Sequence, residues 1–357
     1  MTGGGDARLL ADWGWEPWFA DQLEPSGPAS PAGALPAGAV PARVLVGHKG
    51  YYDLVGAAGH LSAVPVTAAL RRGAASTADF PAVGDWVLVG GGDEPAIEAR
   101  LRRRTDIVRR APGRVPEAQV LAANVDTAFI VTSATDDLSV RRVERQLAVV
   151  VGGGVEPVVV VTKSDLVEDP EAAGRVLAVA TRGRVAVVPV SNATGDGLDE
   201  LRRWLLPRST VALLGSSGVG KSSLVNRLAG AELLATDDVR DDGRGRHTTV
   251  RRELVRLGSG ALVVDTPGVR EVQLWDEAGL AEVFDEIGAL AADCHFADCG
   301  HDLEPGCAVG AAAAQGRVSG ERVRAYRTLV AELDTTRHQL EDRRRPRPSR
   351  VSPGSRG

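Results

Sequence analysis

Apolar residues fall into two registers along the chain. Between residue 42 and about residue 110, short apolar runs alternate with glycine turns, at 43–46, 51–55, 61–66, 86–89 and 96–101. Five short strands of this spacing predict a small barrel of OB type over 42–112. From 118 to 290 the pattern lengthens into strand–loop–helix repeats. Strands are expected at 127–132, 158–161, 185–190, 211–214, 253–257 and 261–264, with helical periodicity at 141–150, 197–205 and 222–228. That alternation predicts an α/β domain with a doubly wound, mostly parallel sheet. A further helix is expected over 321–342, with Val323, Tyr326, Leu329, Val330 and Leu340 at its apolar positions. Residues 1–41 divide into an arm carrying Trp13, Trp15, Trp18 and Phe19 and a linker rich in Pro, Ala and Gly from residue 25. The arm is expected to pack on a neighbouring domain; docking on a partner is the alternative. The Arg/Pro/Ser-rich tail, 343–357, reads as a disordered basic segment.

The run Gly215-Ser216-Ser217-Gly218-Val219-Gly220-Lys221-Ser222 has the pattern G-x-x-x-x-G-K-S. It follows a predicted strand and opens a predicted helix, the context in which backbone N–H groups and a helix N-terminus cradle phosphates. Lys221 adds a point charge toward the β and γ phosphates. Ser222 offers a hydroxyl to Mg²⁺, and Ser223, next on the first helical turn, is counted with the phosphate- and Mg-binding residues. Asp265-Thr266-Pro267-Gly268 follows a second apolar run and has the D-x-x-G form of a GTPase switch, with Asp265 directed to Mg²⁺ and the Gly268 N–H to the γ-phosphate. Thr248 and Thr249 lie between these motifs in a polar stretch suited to a switch loop.

Guanine reading needs an N/T-K-x-D element, normally downstream of D-x-x-G. No lysine occurs after Lys221, so the element must lie upstream, at Thr162-Lys163-Ser164-Asp165. Asp165 would accept from guanine's ring N–H and amino group, a donor pair that adenine lacks. Ser191 and Asn192 follow the 185–190 strand, where the last guanine-contacting loop belongs. The order of motifs therefore reads as a circularly permuted GTPase. A P-loop ATPase or kinase is the rival reading, and an RNA-binding scaffold that uses nucleotide only as a conformational switch is another. Val269 stands where many GTPases carry a water-positioning glutamine. His247, beside the switch threonines, is the candidate catalytic substitute; an exposed loop residue or RNA contact is its alternative role.

All three cysteines lie in one short segment. Cys294, Cys299, His301 and Cys307 form C-x4-C-x-H-x5-C, a donor set suited to one closed, structural, tetrahedral Zn²⁺. His295 is a rival fourth ligand, disfavoured by its adjacency to Cys294. The module spans 291–342.

A net charge of −5 excludes a general polycation, so any nucleic-acid surface must be local. Tyr51 and Tyr52 could offer bases a stacking face, and Arg71, Arg72, Arg100, Arg102, Arg103 and Arg104 a basic edge; packed tyrosines and solvated arginines are the alternative. No apolar run is long enough to span a membrane, and the N-terminus lacks a basic-then-apolar signal pattern, which together predict a soluble cytoplasmic protein.

The ordered set T-K-S-D, S-N-A-T-G, the phosphate loop, Gly245-Arg246-His247-Thr248-Thr249, D-T-P-G and the cysteine module resembles the ribosome small subunit-dependent GTPases of RsgA type. Val83-Gly84-Asp85-Trp86, Ala123-Asn124-Val125-Asp126 and 304–309 extend the resemblance, which covers about 42–330. It implies an OB domain, a permuted GTPase binding GTP or GDP with Mg²⁺, and a zinc-binding helical domain. It also implies late maturation of the small ribosomal subunit, hydrolysis stimulated by that subunit, and contact with its rRNA; a monomer is expected. Thr162 departs from the usual asparagine and loses the amide fork.

Overall fold

The computed structural model describes residues 3–24, 38–91, 94–113, 115–135, 138–231, 233, 252–266, 272–302 and 304–344. Of the expected disordered tail over 343–357, residues 343 and 344 instead belong to the helix Gly320–Arg344, and the rest lies outside the described residues, as do 25–37 of the expected linker.

Strands β1 (Val40–Gly47), β2 (Tyr51–Gly56), β3 (Gly59–Pro65), β4 (Trp86–Val89) and β5 (Ile97–Arg100) form the barrel. β1 pairs antiparallel with both β2 and β4, β2 with β3, and β4 with β5. A parallel bridge between Val66 and Ile97 closes the ring, with the Thr67 N–H donating to the Ile97 carbonyl at 2.9 Å. Closure leaves no long unpaired edge. Inward residues Val44, Leu54, Val64, Val87 and Ile97 fill the interior, as period-2 alternation requires.

Next comes a hairpin that the hydrophobic pattern did not reveal: β6 (Asp106–Arg110) pairs antiparallel with β7 (Ala118–Ala123). It is docked beneath the barrel by a close approach at Gly84. There φ is +90° and a Cβ would lie 2.2 Å from the Ala123 carbonyl oxygen, so only glycine fits.

The remaining strands are β8 (Thr127–Ser133), β9 (Glu156–Thr162), β10 (Ala186–Pro189), β11 (Thr210–Gly215), β12 (Glu253–Arg256) and β13 (Leu262–Asp265). Their order in the sheet is β10-β9-β8-β11-β13-β12, parallel except for β12. Successive residues alternate between two cores. Phe129, Val131, Val158 and Val160 face one layer, while Ala128, Ile130, Val159 and Val161 face the other. This near-continuous valine-rich burial is what a parallel sheet covered on both faces demands. Helices Val140–Gly152 and Pro170–Ala180 carry the chain between successive parallel strands. Ser139 and Asp169 cap their N-termini by accepting from the Arg142 and Glu171 N–H groups. β12 also meets β1 at Val46–Glu253, so barrel and α/β sheet are hydrogen-bonded into one surface.

The tryptophan arm packs inward rather than outward. Leu10, Trp13 and Phe19 are buried, and Trp15 and Phe19 lie 4.7 and 5.9 Å from the ring of Trp86 in the barrel. Gln22, wholly buried, receives the Arg102 N–H at 2.7 Å. At the other end, helix Gly320–Arg344 lies against the α/β layer. Arg322 donates to Glu144 at 2.8 Å and to the Ala180 carbonyl at 2.9 Å, pairs with Glu286, and stacks 4.6 Å over Phe284. Burial pushes the Glu144 carboxyl pKa up, while Arg322 pulls it back down. Among the described residues, no helix is long and apolar enough to cross a membrane.

The arm is thus part of the core. Phe19→Ala should cost about 3 kcal/mol of unfolding free energy, the scale for a buried phenylalanine, measured by urea denaturation followed by tryptophan fluorescence.

Candidate nucleotide and metal sites

In the sheet, β8, β9 and β10 succeed one another in one direction, and β11 then returns to the other side of β8. The strand order therefore reverses between β8 and β11, and the crevice at the carboxyl ends of strands at such a point is where open α/β sheets bind ligands. Gly215 to Gly220 occupy it. Gly215, Gly218 and Gly220 all have positive φ, and a Cβ at Gly215 would lie 2.4 Å from the Val131 carbonyl oxygen. Nothing lies within 4 Å of the Cβ position of Gly218, so the loop faces open space there. Helix Lys221–Ala229 starts directly behind it and presents its N-terminal N–H groups. Lys221 is buried, and its Nζ donates to the carbonyls of Gly215 and Ser216 at 2.9 and 2.7 Å, which holds the ammonium over the loop. Ser216 is buried, Ser217 exposed, and Ser222 and Ser223 half-buried on the first turn.

Asp265 ends β13, beside β11. Burial raises its carboxyl pKa, and Lys221 opposes the shift. Its Oδ1 is shielded from solvent and has no hydrogen-bond partner among the described residues. A buried, orphaned carboxylate oxygen beside a phosphate loop fits a divalent cation, which would complete its coordination. Thr266 is wholly buried, with its hydroxyl on the Leu213 carbonyl, pinning the switch strand to the phosphate-loop strand. His247, Thr248, Thr249 and Gly268 lie outside the described residues.

The T-K-S-D element sits at the end of β9. Thr162 is wholly buried. Its hydroxyl lies 2.6 Å from the Val219 carbonyl oxygen and 3.0 Å from that of Thr132. Lys163 takes a left-handed conformation, φ +58°, which turns the chain into the short 3₁₀ turn Ser164–Leu166. Ser164 is anchored through its N–H to the Val190 carbonyl, and Asp165 is exposed on the turn. The loop after β10 closes alongside. Ser191 is buried and accepts from the N–H groups of Ala193 and Thr194, while the Asn192 amide donates to the Gly220 carbonyl at 3.1 Å. Arg227 also reaches this loop, donating to the Ala193 carbonyl at 3.0 Å. The structure therefore gathers at one sheet edge three elements that the chain order keeps far apart.

The donor atoms of Cys294, Cys299, His301 and Cys307 all lie within 4.8 Å of one another. His301 has φ +56°, a left-handed turn that swings its imidazole Nδ1 to within 3.6 and 3.8 Å of the Cys294 and Cys307 sulfurs. Burial lowers the His301 pKa, favouring the neutral ring a metal needs. The Gly310 N–H donates to the Cys307 sulfur at 3.2 Å, as it would to a thiolate. His295 stands apart from the cluster, its backbone N–H tied to the Gly306 carbonyl and its ring edge-on to Phe296. Three sulfurs and one imbedded imidazole fit tetrahedral Zn²⁺.

Part of the arginine edge expected on the barrel is engaged within the fold. Arg103 pairs with buried Asp85 at 2.8 Å, Arg104 with Asp126, and Arg100 is mostly buried against the Asp79 carbonyl. Tyr52 is buried, so the stacking face reduces to Tyr51, which is exposed and stacked 4.6 Å from His48. Arg71, Arg72, Arg102 and Arg104 stay exposed.

A family model describing the RsgA GTPase matches residues 100–275. Small ribosomal subunit biogenesis GTPase RsgA of Opitutus terrae is 45% identical over 338 residues, covering 90% of this chain and 89% of its own. The chain belongs to the RsgA GTPase family. A relative from Lactiplantibacillus plantarum, RsgA 2, is 45% identical over 294 residues, 82% of each chain. Among solved structures, YjeQ from Thermotoga maritima superposes with a TM-score of 0.59 at 26% identity, covering 83% of this chain and 98% of its own. YloQ, described as a circularly permuted GTPase, gives 0.56 at 23% identity over 88% and 100%, a likeness of fold. The permuted order, the mixed sheet and the guanine-nucleotide chemistry expected of the motifs agree with this membership.

If the cysteine cluster holds zinc, purified protein should carry one Zn²⁺ per chain by elemental analysis. Cys299→Ser and Cys307→Ser should lose it and melt the C-terminal module earlier, with nucleotide binding retained.

Proposed function

We propose that this protein hydrolyses GTP to GDP and phosphate in the late assembly of the small ribosomal subunit, acting as a monomer in the cytoplasm, with the subunit and its rRNA as stimulating partners. The observation that carries this is the convergence of the phosphate loop, Asp265, Thr162–Asp165 and Ser191–Asn192 at one crevice, in a chain whose relatives are named for small-subunit biogenesis. The proposed division is an arm and linker to residue 41, an OB domain over 42–112, a permuted GTPase domain over 118–290 and a zinc-binding helical domain over 291–342.

In this reading, Gly215 to Gly220 and the helix behind them bind the phosphates, with Lys221 neutralising the β and γ groups. Ser222, Asp265 and a switch threonine, Thr248 or Thr249, would hold Mg²⁺, which supplies charge neutralisation between the β and γ phosphates when bound. Gly268 would give its N–H to the γ-phosphate. Asp165 selects guanine, while Lys163, Ser164 and Ser191 shape the base pocket. The exposed Tyr51, with His48 and Lys49 beside it, is the barrel's best stacking face for rRNA. β12 supports a coupling role for the switch region: it follows closely after Thr249 in sequence and joins β13, which bears Asp265, to β1 of the barrel.

With Val269 in the glutamine position, free protein should turn over slowly, and purified small subunits should raise the rate at least tenfold in a phosphate-release assay. His247→Ala should retain GTP binding and lose that stimulation. No effect of subunits on turnover would favour a scaffold in which nucleotide only sets conformation. For base selection, Asp165→Asn should weaken GTP and gain xanthosine triphosphate, whose ring carries an oxygen where guanine has its amino group. Competition titrations with GTP, XTP and ATP measure this, and equal ATP and GTP binding by the wild type would point instead to a general P-loop ATPase or kinase.

A further inference from the structure

Two carbonyls of the phosphate loop, those of Val219 and Gly220, are held by side chains from two different guanine-side loops. Thr162 takes Val219 at 2.6 Å, and Asn192 takes Gly220 at 3.1 Å. A hydroxyl has one proton and a carboxamide has two N–H groups. At 2.6 Å the Thr162 proton is committed to Val219, the Thr132 carbonyl being the longer alternative at 3.0 Å. Thr162 is also wholly enclosed, so it has neither a spare donor nor a surface for a base. The amide missing at position 162 reappears thirty residues later, on the adjacent loop. Asn192 supports Gly220 so closely that a Cβ at that glycine would lie 3.0 Å from its Nδ2. Its own Oδ1 is shielded from solvent and has no partner among the described residues. An enclosed acceptor of this kind is costly unless a donor completes it.

We propose that Thr162 and Asn192 form a split brace, in which Asn192 performs the amide work that a single asparagine at position 162 would do. Asn192 is then a positioning residue for guanine nucleotide: it fixes the register of Gly220, immediately before Lys221, and turns its remaining amide oxygen toward the ligand. Ser191, one residue earlier, serves a different purpose, since its hydroxyl is occupied in shaping the loop by accepting from Ala193 and Thr194. The inference rests on the reading of this crevice as the guanine-nucleotide site.

The test is a double-mutant cycle in the full-length protein, using fluorescent GDP and GTP analogues for affinity and thermal melting with and without GDP. Asn192→Ala should weaken both nucleotides about three- to tenfold, the scale of one hydrogen bond. It should shrink the GDP-induced rise in melting temperature and leave the nucleotide-free melting point unchanged. Asn192→Asp should lose at least as much, because a carboxylate has no N–H to give the Gly220 carbonyl. Thr162→Asn, similar in volume, should recover most of the loss in the Asn192→Ala background. Wild-type affinity in Asn192→Ala overturns the proposal. So does a drop in nucleotide-free melting temperature that Thr162→Asn does not rescue, which would mark Asn192 as merely structural. A wild type with no preference for guanine over adenine nucleotides would refute the site reading itself, an outcome separable from a wild type that binds GDP normally and shows no coupling between the two positions.

Discussion

Arg43 is the interaction on which the arrangement of the domains turns. Its side chain, 1% exposed, donates to the carbonyls of Trp13, Gly84 and Asn124 and to the hydroxyl of Thr210, with its guanidinium 5.6 Å from the Trp86 ring. Those partners come from the arm, the barrel, the approach to β8 and the start of β11. Burial pulls its pKa down to about 10, with Asp126 and Glu16 working in the opposite sense. The group therefore stays charged at neutral pH, and its desolvation is offset by a full set of acceptors and a π face rather than by a directly bonded carboxylate. An arginine fork can satisfy several carbonyls in fixed directions at once, which a lysine cannot. Any shift of the arm or barrel would leave a buried cation short of acceptors, so the three units are held in one geometry by the cost of separating them.

On the opposite side Arg322 does comparable work for the C-terminal helix. It joins Glu144 and Glu286 and the carbonyls of Ala180 and Val283, which belong to the helical layer over the parallel sheet. The cysteine cluster lies in the short segment between that layer and the long helix, where a bound Zn²⁺ would tie the two. A region with so few buried apolar side chains needs such a staple, because burial alone could not order it.

The sequence disclosed the site better than it disclosed the surface. A phosphate loop is legible because its chemistry is local: positive-φ glycines, a lysine and a helix start must be contiguous. The same holds for the four metal donors, all within residues 294–307. The sheet strands were legible because parallel strands covered on both faces are unbroken valine-rich runs. The hairpin of β6 and β7 was not, since half-buried Arg109 and Arg110 occupy consecutive positions of β6, and Arg110 finds its side-chain partners, Thr336 and Gln339, more than two hundred positions away. Arginine was the least readable residue type. Arg43, Arg103 and Arg322 all look like surface charge in one dimension, yet each is buried against partners tens to hundreds of positions away. Of the basic edge expected for RNA, Arg100 and Arg103 are engaged within the fold, while Arg71, Arg72, Arg102 and Arg104 are exposed. The arm's tryptophans had to be covered by something, because so much aromatic area is rarely left in water, and of the two readings, packing on a neighbouring domain rather than on a partner is the one the fold shows.

Threonine at position 162 shows why a departure from a motif is better judged by what surrounds it than by the letter changed. Taken alone, the exchange removes an amide and two of its hydrogen-bonding positions. In the folded chain, Val219 keeps its donor and Gly220 has another, supplied by a loop that reaches the same crevice because β9 and β10 are adjacent parallel strands. Parallel neighbours deliver their C-terminal loops to one edge whatever the order of their connections. That is also why the chain can be cut and rejoined elsewhere without dispersing the site. The functional unit is the edge of the sheet, and a donor lost from one loop along it can be restored from the next.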